Sequence, residues 1–126
     1  MKTQRSIAII PHTGKPLALS VAGRTAELLE KHGAKVLVPR EYAKGDEMLK
    51  YASETALDEA DLIVVVGGDG SILKASQEAR KRRIPLLGIN TGHIGFLTEL
   101  EVDEVEKYIR DIAEGNYEIE ERILIK

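Results

Sequence analysis

The sequence predicts an open, mainly parallel α/β sheet with helices on both faces, a three-layer α/β/α arrangement. Three observations carry that expectation. Short β-rich runs alternate with amphipathic helical stretches along the chain, the pattern of successive β-α units. The run Leu62-Ile63-Val64-Val65-Val66 is apolar at every position and mostly β-branched, which suits a central strand buried on both faces. Glycine-rich stretches follow two of the β-rich runs, where sheets of this kind gather ligands.

Taken in order, Ile7-Ala8-Ile9-Ile10 reads as a buried first strand, ended by the turn-prone Pro11-His12-Thr13-Gly14. A helix is expected over 17–32, with Val21, Leu28 and Leu29 on one face, Thr25 between them, and Gly33 placed to end it. Val36-Leu37-Val38 gives a short strand stopped by Pro39, and a helix over 47–52 follows with Met48, Leu49 and Ala52 as its apolar side. Beyond the 62–66 strand come Gly67-Gly68-Asp69-Gly70, a helix over 71–82 and a strand over 84–89. Val102, Val105, Ile109 and Ile112 stand at helical spacing, Asp103 and Glu106 are spaced as a capping pair, and Gly115-Asn116 marks a stop. A last strand is expected over 119–125.

Composition narrows the function classes. A chain of 126 residues suits one compact domain, burying roughly two-thirds of its unfolded surface without a disulfide or metal staple. Cysteine is absent, which removes a disulfide framework and a cysteine nucleophile and weakens a zinc reading. The formal charge of −3 offers no global attraction to nucleic acid or anionic membranes. With one Phe and four Tyr, base-stacking platforms are scarce. No apolar run approaches the ~18 residues of a membrane span, and the stretch after the basic start breaks at Pro11, too early for a signal-peptide core. Small-molecule partners in the cytoplasm fit best, without nucleic acid or membrane.

The tetrad after Val66 sets three glycines around one acid. Glycines permit a tight turn with positive φ and remove side chains that would obstruct a ligand. The helix that follows offers unpaired N–H groups suited to phosphate, and Ser71 is placed to cap it or to contact an anion. An acid there makes sense if Asp69 accepts a hydrogen bond from a ribose hydroxyl or holds Mg²⁺. A tight strand-to-helix turn with an exposed acid explains four residues equally well. The tetrad matches neither the G-x-G-x-x-G dinucleotide fingerprint nor the G-x-x-x-x-G-K-[ST] phosphate loop.

A second motif shifts that balance. Gly67-Gly68-Asp69-Gly70-Ser71 followed by Gly88-Ile89-Asn90-Thr91-Gly92-His93-Ile94-Gly95-Phe96-Leu97 resembles the paired motifs of NAD kinases in order, separation and intervening strand. The resemblance covers essentially the whole chain and implies a Rossmann-like nucleotide-binding domain over 1–117. Residues 118–126, with Glu121-Arg122, resemble the connection into that family's C-terminal β-rich domain. The implied reaction moves a phosphoryl group from ATP, or inorganic polyphosphate, to the 2′-hydroxyl of the adenosine ribose of NAD, with a divalent metal such as Mg²⁺. By motif, Asp69 is the proton acceptor, and Asp69 with Gly70 contacts the dinucleotide. Ser71 stands where the family usually has Thr, and Lys74 falls at a basic position near phosphate. Phe96 and Leu97 supply apolar contact, supported by Asn90, Gly92, Gly95, Gly67 and Gly68. Cationic surroundings favour ionised Asp69, so it is expected chiefly to orient the attacking hydroxyl and take its proton late. A homo-oligomer is expected, and the resemblance implies a chain inactive alone for want of the second domain's Asn-Glu or Asn-Asp motif.

Other candidates have plainer readings. His93 reads as a tolerant polar residue, with no second ligand at metal spacing. His12 and Lys15 lie on the ligand-facing edge without further support, and His32 suits a helix end. Arg80-Lys81-Arg82-Arg83 reads as helix-end stabilisation rather than a nucleic-acid patch. The acid-rich segment from Glu99 onward reads as a solvated helix and junction. Two alternatives stay open: a lipid or sugar kinase sharing the Gly-Gly-Asp-Gly tetrad, and a non-catalytic nucleotide-binding module that self-associates through the Ile123-Leu124-Ile125 edge.

Overall fold

The computed structural model describes residues 4–90 and 123–125. The expected helix over 102–112, the loop beyond Asn90 and the first part of the 119–125 strand lie outside the described residues. What is described is a six-stranded sheet in which every pairing is parallel. Its strands are β1 (Ser6–Pro11), β2 (Lys35–Pro39), β3 (Ala52–Ser53), β4 (Leu62–Gly67), β5 (Leu86–Asn90) and β6 (Ile123–Ile125), in the spatial order β3-β2-β1-β4-β5-β6. That is the order of a doubly wound Rossmann-like sheet, whose direction of travel reverses between β1 and β4.

Alternation along the central strands makes two cores. Ile7, Ile9, Val64, Val66, Leu87 and Ile89 face one side and pack with Ala18, Ala22, Ala26 and Leu29 of helix α1 (Pro16–Lys31). Ala8, Ile10, Ile63, Val65 and Leu86 face the other side, against Ile72, Ala75 and Ala79 of α4 (Asp69–Arg82). The short α3 (Ala56–Glu59) sits on that second side through Leu57 and neighbouring Ala60. Helices on opposite faces follow from right-handed crossovers that run outward in both directions from β1 and β4. The three-layer expectation is met.

Helix ends use one backbone device twice. After α1, Ala34 N–H donates to the Leu29 carbonyl (2.9 Å) and Gly33 N–H to Glu30 (3.0 Å), with Gly33 at φ 94. After α4, Ile84 N–H reaches Ala79 (3.0 Å) and Arg83 N–H reaches Arg80 (3.1 Å), with Arg83 itself left-handed at φ 57. Both are Schellman closures that satisfy the last free carbonyls. His32 takes the C-cap of α1, as its position suggested.

The stretch expected as a helix over 47–52 is different. Only Asp46–Leu49 (α2) is helical, and Ala52–Ser53 instead adds a two-residue strand beside Val38 and Pro39. Met48 and Tyr51 are buried, but Leu49 is 54% exposed, so the apolar side is not the one a continuous helix would present. Val38 N–H donates to the Tyr51 carbonyl at 2.8 Å, which draws the backbone out of helix and into the sheet. A 3₁₀ turn (Arg40–Tyr42) and α3 carry no long periodic signal in the sequence.

Candidate functional site

The reversal between β1 and β4 opens a crevice at the carboxyl ends of the strands, where doubly wound sheets bind ligands. Three segments end there. β4 ends at Gly67, β5 at Asn90, and β1 at Pro11, leading into His12-Thr13-Gly14-Lys15. Gly67 and Asn90 are direct partners in the β4–β5 register, so the two glycine-rich motifs start side by side. His12 N–H donates to the Val66 carbonyl at 2.8 Å, extending the β1–β4 ladder by one rung. The β1 turn therefore lies directly against the tetrad.

Local geometry explains the first glycine. A Cβ on Gly67 would meet Ser71 Oγ at 2.8 Å, Ser71 Cβ at 2.9 Å and His12 Cβ at 3.1 Å. Close approach is the reason for glycine here, and positive φ is not. Among the described glycines only Gly33 and Gly45 have positive φ, which corrects the expectation of a left-handed turn at the tetrad. Gly68 is the N-cap of α4 in an extended conformation (φ −92, ψ −171), with no side-chain cap. Asp69 is the first helical residue and Gly70 the second, placing both in the turn whose N–H groups lack helical partners.

Ser71 is inside the first turn of α4, so it is not the helix cap that its place after the tetrad suggested. Its half-buried side chain packs on Gly67 beside His12. Lys74 is exposed one turn further along, and makes no ion pair among the described residues. The basic cluster lies at the other end of α4. Arg82 pairs with Asp58 (3.1 Å) and with Glu78 (3.2 Å), and Lys81 lies 4.0 Å from Glu78. That supports the helix-end reading of residues 80–83. Gly92, Gly95, Phe96 and Leu97 lie outside the described residues.

The β1 turn is the part that residue patterns alone left unsupported. Gly14 N–H donates to His12 Nδ1 at 3.1 Å, and a Cβ at Gly14 would come within 3.0 Å of His12 Cε1. The imidazole is thus folded onto its own turn, at the rim of the crevice. Only the pairing of β1 with β4 reveals this, because 55 positions separate His12 from Gly67.

A family model described as "ATP-NAD kinase N-terminal domain" matches residues 7–117. This chain belongs to the NAD kinase family. A protein named NAD kinase from Natranaerobius thermophilus is 39% identical over 123 residues, covering 96% of this chain and 43% of that one. Those named NAD kinase from Corynebacterium diphtheriae and Bacteroides fragilis are 38% and 37% identical, over 96% and 94% of this chain and 41% and 43% of theirs. The chain thus spans about two-fifths of the length of the NAD kinases it matches. The family is one of phosphotransferases. No described helix is long and apolar enough to cross a membrane.

Proposed function

We propose that this chain forms the nucleotide-binding part of an enzyme making NADP, by transfer of a phosphoryl group from ATP or inorganic polyphosphate to the 2′-hydroxyl of the adenosine ribose of NAD. One observation carries the reading. The β4–β5 register puts Gly67 beside Asn90 at the carboxyl edge of the sheet, and Gly67 ends the strand that borders the reversal between β1 and β4. Residues 1–117 form the binding domain and 118–126 lead toward a C-terminal β-rich domain. The enzyme works in the cytoplasm as a homo-oligomer.

In this reading Gly67, Gly68, Gly70 and Ser71 shape the phosphate side of the crevice, and Lys74 adds positive charge near it. Asn90, Gly92, Gly95, Phe96 and Leu97 hold the nucleoside. Asp69 orients the ribose hydroxyl. As the hydroxyl oxygen bonds to the terminal phosphorus, the bond from that phosphorus to the bridging oxygen breaks, and Asp69 takes the proton late. The described residues contain no group of three His, Asp or Glu that could cage a cation. In this proposal Mg²⁺ enters with the donor, carried by its phosphate oxygens as is usual for this ion.

The test joins this chain to the C-terminal remainder of the Natranaerobius relative and assays NADP. The fusion is expected to form NADP, and the 126-residue chain alone only background amounts. In the fusion, Asp69→Asn should slow turnover on the order of 10²-fold or more while NAD affinity stays within about tenfold. Turnover unchanged by Asp69→Asn would remove Asp69 from its role. NADP formation by the chain alone would show that the further length its relatives carry is dispensable.

A further inference from the structure

A cleft of about 740 Å³ opens beside the β1 turn, between α4 and the 3₁₀ turn that follows β2. Its floor is apolar, formed by Ile10, Leu57 and Ala75. At the end nearest the tetrad its walls are His12, Thr13, Ser71 and Lys74. Each of those four side chains carries a hydrogen-bond donor.

The donors are gathered by construction. Glycine at 67 lets Ser71 and His12 pack against the same point, since a Cβ there would press on both. The hydrogen bond from Gly14 N–H occupies His12 Nδ1. A neutral imidazole whose Nδ1 accepts must carry its proton on Nε2, so the nitrogen not engaged by the turn is a donor. Two acids, Glu41 and Glu78, also line the cleft. Glu78 is one turn beyond Lys74 and is held by Arg82 at 3.2 Å and Lys81 at 4.0 Å. Glu41 belongs to the 3₁₀ turn after β2.

We propose that this cleft binds a linear phosphate chain, with His12 Nε2–H donating to one of its oxygens and Lys74 neutralising its charge. The proposal deepens the phosphotransferase reading, on which it rests for the class of ligand, by assigning the donor's phosphates to the β1 turn. A nucleoside triphosphate tail and inorganic polyphosphate present the same oxygens, so the test separates them.

The 126-residue chain, labelled with ¹⁵N, is titrated with sodium tripolyphosphate at fixed ionic strength, and imidazole nitrogens are followed by long-range ¹H–¹⁵N correlation. The His12 Nε2 signal should move on binding while both His32 signals stay in place. His12→Asn retains an acceptor for Gly14 N–H but lacks the Nε2 donor, and should weaken tripolyphosphate binding on the order of tenfold. His12→Gln restores a donor at the Nε2 position and should recover most of the affinity. ATP competing for the same signal, with adenosine silent, assigns the site to a nucleotide tail; tripolyphosphate binding without ATP competition assigns it to inorganic polyphosphate. Equal binding by wild type and His12→Asn overturns the proposal, as does a His12 response to NAD with none to tripolyphosphate. A fusion that makes NADP with His12 indifferent to phosphate sinks this inference alone. A His12 response in a protein that makes no NADP sinks the NAD kinase reading alone.

Discussion

Within the tetrad, neighbouring glycines meet different surroundings, and substitution should separate them. Gly67 is buried, and the atoms a Cβ would strike belong to the short, packed side chains of Ser71 and His12. Relief would require moving the helix or the β1 turn. Gly67→Ala should therefore cost about 1–3 kcal/mol in urea unfolding, in line with other forced insertions into packed sites. Gly70 is exposed at the second helical position, and nothing lies within 4 Å of a Cβ there. Gly70→Ala should be neutral or add up to about 1 kcal/mol, because alanine restricts the unfolded chain and favours helix. Equal effects at 67 and 70 would mean that backbone freedom, not close approach, explains the motif. The residue names alone did not reveal this difference. Three glycines in a row of four look alike until the partner at His12 is known.

Among the elements, the two Schellman closures form a natural experiment. Gly33 and Arg83 occupy the left-handed position of the same motif, at φ 94 and φ 57. A side chain in that region costs roughly 1–2 kcal/mol relative to glycine. Gly33→Ala should lose about that much stability, and Arg83→Gly should gain up to about 1 kcal/mol, both read as midpoint shifts at unchanged m-value. A stabilising Gly33→Ala would contradict the assigned geometry. A second element-level contact ties the chain before β3 to α1: the Tyr51 hydroxyl donates to Glu30 at 3.3 Å. Burial first, and then the Glu30 carboxylate, push the Tyr51 phenol above its ordinary value of 10.0, with Lys50 opposing. The folded state therefore holds this proton more tightly than the unfolded chain. Its contribution is complete below pH 10 and declines as pH rises through the folded value. Tyr51→Phe should flatten the fall of stability above pH 10; an unchanged slope would show that other groups cause it.

Across the whole molecule, what could be read in advance tracks how far each signal reaches along the chain. The strands 62–66 and 7–10 and the helix 17–32 were legible because continuous β-branched runs and 3.6-residue spacing are local. β3 was not, because a two-residue strand exists only through Val38 and Pro39 of β2. The spatial order and the meeting of His12 with Gly67 were equally hidden, since they depend on pairing β1 with β4 across 55 positions. The same hierarchy should govern how the molecule opens. β4 is buried at every residue and is paired over five positions with β1 on one side and five with β5 on the other. β3 has one recorded neighbour, two paired residues and only partial burial. Exchange of the β4 amides requires breaking both ladders and uncovering both cores, which amounts to global unfolding. Opening of β3 exposes little apolar surface. Native-state hydrogen exchange should therefore give Val64 and Val65 the free energy of global unfolding, with the same denaturant dependence. Amides of the 50–53 stretch should exchange at several kcal/mol less and with almost no denaturant dependence. Matching exchange free energies in β3 and β4 would mean that the sheet opens as one unit, and that β3 is bound into the fold by more than its two-residue pairing.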